Sequence, residues 1–301
     1  IFAVSAIAAA VAIPGYTAEK ETEHQTLLED EFSFSEIGEP ELDVEYQEYC
    51  QTPEIRRMRM RGNDRIRWML AGIYQNDKIY LTLRRTSYSM ASFWWKKVRN
   101  NSTVRKTVAD KVFAQDDTFF PNSLCLHLIV ETLDDKLLCT RISNNKKNDY
   151  SKTIAVTLGE QLSQVDFGEN RSYNNCFVEQ WIKRSLIEEF GFHNEEYEKY
   201  VDSSSYRVFA LSYESDIYNF ALPTYVRLRI DYKGLLTYVD SMKVSIDEFT
   251  EIIPKTPMEA LEITKSWALE NERCNYHPSS FLRALLYAIY KGADREEMQK
   301  Q

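Results

Sequence analysis

The chain has 301 residues, 44% apolar and 13% aromatic, which is enough to bury a core in one large or two modest domains and too apolar for an unfolded chain. Its formal charge of −9 argues against general affinity for long nucleic acid. The five cysteines (Cys50, Cys125, Cys139, Cys176, Cys274) form no CxxC pair and the four histidines no HExxH, so neither a disulfide framework nor a His-built metal centre is indicated; a reducing compartment is expected for the main body.

The first segment, IFAVSAIAAAVAIPGY, is apolar and uncharged through Pro14. It is shorter than the roughly 20 residues of a full crossing. It reads as the C-terminal part of a membrane helix over 1–16 rather than as a signal-peptide core. A membrane-anchored chain with a cytoplasmic globular domain is therefore expected. Residues 17–54 are dense in acids, with only Lys20 against them between Glu19 and Glu48, and read as an acidic linker. RRMRMRGNDRIR, Arg56 to Arg67, then carries six arginines. It reads as a solvated basic face, or as a patch that contacts phosphates or anionic lipid head groups.

The globular domain is expected over 55–301, with its core at about 122–292. DKIYLTLRRTSYS alternates apolar and polar residues and predicts a strand. SMASFWWKKVRNN predicts a helix that breaks near Asn100-Asn101. Its Trp94 and Trp95 suit a core, and Trp95 beside Lys96, Lys97 and Arg99 also suits a stacked base. LCLHLIVETLDDKLLCTRIS predicts a hairpin, Leu124 to Thr132 and Lys136 to Ile142. Cys125, Cys139 and His127 fall within its apolar strands as core residues. TIAVTLGEQL predicts a strand that stops at Gly159-Glu160.

WIKRSLIEEFGF predicts an amphipathic helix, with Trp181, Ile182, Leu186 and Phe190 as the buried stripe and Gly191 as the stop. Arg184 lies one turn before Glu188, and Ser185 one turn before Glu189. RVFALSYES and TYVRLRIDYKG predict strands. DEFTEIIP and PMEALEITKSWALENE predict a helical tail, and SSFLRALLYAIYKG a last helix capped by Ser279 or Ser280, with His277 shaping its start. The mixture predicts an α+β or layered α/β/α domain. No P-loop and no GxGxxG occurs, against Walker-type NTPase or Rossmann chemistry.

The order of these elements, with R-x-x-x-E-E-x-G-aromatic on the helix, resembles the Nudix family, whose signature is Gx5Ex7REUxEExGU with U a bulky apolar residue. Arg184, Leu186, Glu188, Glu189, Gly191 and Phe192 match its second half. SLCLHLIVETLDDKLLCTR is similar to the family's early strands, and RVFALSYES with YVRLRIDYKG to its later ones. The resemblance implies a Nudix-like α/β/α sandwich with a mixed sheet. It implies Mg²⁺ held by Glu188, Glu189 and a loop glutamate, Glu160 or Glu169, against a diphosphate, with Arg184 fixing Glu188. Gly159, Glu160, Arg141 and Trp95 would line the ligand.

The departures are Ser185 where the family has its middle glutamate, and Cys176 and Asn170 at the earlier glutamate and glycine. A second metal would then be poorly held. The resemblance implies either a degenerate module that binds a nucleotide or nucleotide-derived signal, coupled to the membrane helix or to homo-oligomerisation, or a Mg²⁺-dependent hydrolase of a nucleoside diphosphate derivative. A protein-interaction scaffold is the third reading.

Overall fold

The structure, a computed structural model, describes residues 11–12, 26–62, 64, 66–75, 79–103, 106, 120–143, 151–167, 177–214, 219–242, 249–268 and 275–293. At its centre is β5 (Leu124–Glu131), buried at every position. A strand buried on both faces needs an unbroken apolar run, and LCLHLIV supplies one. β5 lies parallel to β11 (Asn219–Leu228) and antiparallel to β8 (Leu158–Gln161). Beyond β11 come β10 (Ala210–Glu214) and β9 (Val201–Val208), both antiparallel to it. On the other side lie β6 (Leu137–Ile142), β7 (Ile154–Val156) and β12 (Phe249–Lys255). Among the described residues these strands, with β1 (Val11–Ala12), make a nine-stranded mixed sheet. A second sheet has three strands, β2 (Thr26–Glu31), β3 (Ile66–Gln75) and β4 (Ile79–Ser87).

Alternation along the strands divides the core in two. Leu124, Leu126, Leu128 and Val130 pack on one face with α4 (Phe177–Phe190) and α6 (Tyr232–Met242). Ile129, Leu137, Cys139 and Tyr225 pack with α7 (Pro257–Ala268) and α8 (Ser280–Tyr290). The fold is α+β, with helices on both faces of a mixed sheet. The short α5 (Asn194–Tyr200) follows α4 and leads into β9.

The predicted hairpin forms, but its strands pair only at Glu131↔Leu137. Beyond that point β5 and β6 part, and TIAVTLGEQL fills the opening as two strands rather than one: β7 on β6, β8 on β5. Thr157 makes the crossing in the left-handed region, φ 49°. Its hydroxyl donates to the Leu138 carbonyl at 2.7 Å and accepts from the Val130 N–H at 3.1 Å, which offsets the strain.

Several expectations are corrected. The acidic segment 17–54 is not a linker where it is described, from residue 26 onward. β2 pairs parallel with β4, and α1 (Pro40–Cys50) buries Leu42, Tyr46 and Cys50 on one face, with Phe32 and Phe34 also in the core. The acids are the outer side of that helix, which masks its apolar spacing. The run DEFTEIIP yields β12, not helix; pairing of Ile252 with Thr140 and Pro254 with Leu138 on the β6 edge overrides the local pattern. β3 begins at Ile66, inside the arginine run. Of 1–16, the described pair Val11–Ala12 is extended and pairs with Leu211 and Ala210; the rest lies outside the described residues. No helix among the described residues is long and apolar enough to cross a membrane. The last helix is preceded by Ser279, as expected, although its side chain caps no backbone N–H of the helix; His277 Nδ1 instead hydrogen-bonds the Ser279 hydroxyl at 2.8 Å.

The end of β5 is fastened by a buried carboxylate. Glu131, fully buried, accepts from the hydroxyls of Tyr225 and Tyr287 (3.0 Å for the latter) and from Lys291 Nζ at 2.8 Å. This joins β5, β11 and α8 at one point. Burial and the Glu131 charge raise both tyrosine hydroxyls above their ordinary range. Glu131→Leu strands the two tyrosine hydroxyls and leaves Lys291 to Asp135 at 3.0 Å, so urea denaturation should show a loss of about 1–3 kcal/mol for each hydroxyl.

Candidate functional site

The helix α4 forms as the apolar stripe predicts, with Trp181, Ile182, Leu186 and Phe190 fully buried. Gly191 ends it at φ 71°, a conformation that strains any side chain. Its N–H bonds the Ile187 carbonyl at 3.0 Å, and Tyr238 donates to its carbonyl at 2.8 Å. Phe192 is fully buried beyond it.

Arg184 points back across the sheet end. It donates to Glu188 Oε2 at 2.9 Å, as the i,i+4 spacing predicts, and to Glu160 Oε2 at 3.1 Å. Its main partner is Asp166, in the 3-10 turn Gln164–Phe167, through Nε at 2.7 Å and Nη2 at 3.1 Å; Nη2 also meets the Gln161 carbonyl at 2.9 Å. The Asp166 side chain has no exposure, against 13% for Arg184 and 42% for Glu188. Burial raises the Asp166 and Glu160 carboxyls above their ordinary range, against the pull of Arg184. Burial alone would lower Arg184, but its hydrogen bonds to Asp166 and the surrounding carboxylates outweigh that and raise it. Asp166 belongs to no family motif. Its signal in the sequence is Ser163-x-x-Asp166, the spacing at which the Ser163 N–H donates to the Asp166 carboxylate, at 2.7 Å.

Ser185 is buried, and its hydroxyl donates to the Trp181 carbonyl at 2.8 Å, one turn back on the same helix. Glu189, 5% exposed, faces a cavity of about 310 Å³ with Trp95, His127, Gly159, Glu214 and Arg283. The cavity lies where β5 and β6 part, so both faces of the sheet contribute to it. Gly159 lets β8 pass close to His127, since a Cβ there would meet the imidazole at 3.2 Å.

The predicted site residues thus fall into three places. Trp95, on α3 (Tyr88–Asn100), Gly159 and Glu189 meet at the cavity. Glu160 and Glu188 meet at Arg184, beside it. Arg141 is drawn away to Glu251 of β12, at 2.8 Å. Glu169 and Cys176 lie outside the described residues. Glu160 and Glu188 each give one oxygen, Oε2, to the Arg184 guanidinium, while Glu189 faces the cavity. Among the described residues no group of three or more His, Cys, Asp or Glu is placed to hold a metal ion.

Arg283, Glu214 and Asn219 line the cavity without any motif to announce them. Arg283 is 2% exposed and donates to the carbonyls of Val156 and Leu158 (3.0 Å) and to the Ser279 hydroxyl at 2.9 Å. Burial brings it down to about 10. Burial, with Arg283 and His277 nearby, holds His127 well below its usual range, and burial pushes the Cys125 thiol up to about 12, so neither is set up as a cation or thiolate.

Arg184→Met leaves Asp166 buried without its cation, and urea denaturation should show a loss of about 3–5 kcal/mol. Glu188→Gln, at an exposed partner, should cost less than about 1 kcal/mol. His127 has a separate signature. Its folded value lies below the unfolded 6.5, so acidification protonates the unfolded chain first. The stability it contributes is present above that value and is lost as pH falls, by about 1.4 kcal/mol per unit. His127→Gln should flatten the stability curve as pH falls below about 6.5.

No family model matches the sequence, and no curated protein matches it. Among solved structures it is similar to the crystal structure of DR0079 from Deinococcus radiodurans, at 15% identity and a TM-score of 0.30, over 50% of this chain and 82% of that one.

Proposed function

We propose that the chain is a divergent Nudix-like α/β/α domain that binds a nucleotide or nucleotide-derived small molecule without efficient turnover. Binding would be passed to an apolar membrane segment at the start of the chain, with the globular domain cytoplasmic, or to self-association. The observation that carries this reading is the cavity against α4. It has the volume of a small-molecule site, an indole at its wall, and a few polar groups converging on it from distant strands. Trp95 supplies a stacking surface suited to a base.

The reading of weak turnover rests on α4 itself. Ser185 stands where a carboxylate would add a ligand, and its hydroxyl is spent on its own helix. Arg184 binds one oxygen each of Glu160 and Glu188, and its positive charge works against a cation beside them. Glu189 keeps its carboxylate on the cavity wall, which supports the second reading, a metal-dependent hydrolase of a nucleoside diphosphate derivative.

The test is thermal shift and product analysis of the full chain, with Mg²⁺ and a panel of nucleoside diphosphate derivatives and oligonucleotide second messengers. A ligand at 100 times its Kd should stabilise the fold by about 2.7 kcal/mol. Stabilisation without product, in the wild type and Glu189→Gln alike, is the expected result. Turnover lost in Glu189→Gln would make the chain a hydrolase. No shift with any compound would leave the scaffold reading.

A further inference from the structure

We propose that the chain pairs with a second copy of itself through the outward faces of α1 and α2 (Pro53–Met60), acidic face on basic face. On α1, Glu41, Val44, Glu45 and Glu48 recur at i, i+3, i+4 and i+7, so they form one stripe, opposite the buried Leu42, Tyr46 and Cys50. All four are exposed. On α2, Arg56, Arg57 and Met60, with Arg61 at its end, are exposed, while Ile55 is buried. Arg59 sets how α2 sits. It bonds Asp64 at 2.8 Å, Cys50 Sγ at 3.1 Å and the Ser89 hydroxyl at 3.3 Å, and so directs the other arginines outward.

Among the described residues, most charges on these faces are not paired. Glu45 is taken by Lys97 at 2.5 Å. Among the described residues, Glu41, Glu48, Arg56, Arg57 and Arg61 have no ion pair. Each face also carries an apolar side chain that water does not favour. Met60 at 79% and Val44 at 62% are the most exposed large apolar residues among those described.

The two helices follow one another across Gln51-Thr52 and touch where Arg59 Nη2 meets Cys50 Sγ at 3.1 Å, so the surface they form carries an acidic stripe on one helix and a basic one on the next. Such a surface is self-complementary under a twofold axis: α1 of one copy meets α2 of the other, twice, and Val44 and Met60 are covered together. Pairing of this kind draws its specificity from charge and weakens as salt screens it. It supplies the self-association named in the proposed function but does not rest on ligand binding.

Sedimentation velocity of the full chain at low and high salt tests it, with far-UV circular dichroism to confirm folding of each variant. The wild type should dimerise at low salt and dissociate at high salt. Arg56→Glu/Arg57→Glu and Glu41→Arg/Glu48→Arg should each weaken the dimer by about tenfold or more. The two variants mixed should recover a one-to-one dimer, since one is now acidic on both helices and the other basic on both. A monomeric wild type at low salt, or a dimer that both variants retain, overturns the proposal. So does a monomer that binds vesicles of phosphatidylserine and phosphatidylcholine and loses that binding with Arg56→Glu/Arg57→Glu, which would give the α2 face to lipid. The thermal-shift panel run on the monomeric variants separates the two proposals, because the cavity is untouched in them.

Discussion

Arg184 meets five oxygens from four residues with one guanidinium: both of Asp166, one each from Glu160 and Glu188, and the Gln161 carbonyl. The cluster is a mutual requirement. Asp166 has no exposed surface and needs a cation; Arg184 is largely buried and needs acceptors. Such a pair adds little net stability beside an apolar substitute, yet breaking it is costly because the remaining charge has nowhere to go. The consequence is positional. With the guanidinium tied to β8 and to the turn after it, α4 cannot rotate about its axis, and Glu189 is held towards the cavity.

The same cluster accounts for how much of the site could be read from the sequence. Arg184 with Glu188 follows from helical spacing, and the stripe from Trp181 to Phe190 gives the buried face. Asp166 becomes a partner only through the path of the chain after β8, which no periodicity encodes. Arg283 and Glu214 reach the cavity from α8 and β10, far along the chain from Glu189, and neither lies in a motif. Arg141 was legible as the end of a strand, but its neighbour Glu251 was not, because DEFTEIIP carries a helical pattern that pairing with β6 overrules. Elements that bury themselves by their own pattern, such as β5 and α8, were legible. Those that exist because a neighbour offers an edge were not.

The cavity follows from topology. A hairpin pairing along its whole length would close the sheet, whereas β5 and β6 share one paired position and then part. β7 and β8 satisfy the freed edges separately, and Thr157 holds the break with its hydroxyl on both strands. Where the sheet opens, polar groups from both faces reach one volume. The low dielectric there explains their charge states: His127 stays neutral, and Arg283, met by neutral acceptors, loses part of its usual basicity.

The helix α3 connects that cavity with the charged outer surface. Trp95 lies at the cavity wall. From the same helix, Ser89 bonds the Tyr46 hydroxyl at 3.0 Å, Ser92 the Tyr49 hydroxyl at 3.1 Å, and Lys97 reaches Glu45, all on α1. Lys96 Nζ also donates to the Tyr49 hydroxyl at 3.0 Å, so the helix that carries Trp95 is bonded to α1 along its length. Any coupling between the two is reciprocal: the factor by which a ligand strengthens pairing through α1 and α2 equals the factor by which pairing strengthens the ligand. Its size is bounded by the difference in ligand affinity between the free and paired chains, whatever the absolute affinity. Lys97 is the point at which the link is most exposed to salt, since its partner Glu45 lies on the surface of the acidic stripe. The tyrosine–serine bonds are sheltered from screening, so that part of the connection persists when the surface charges are masked.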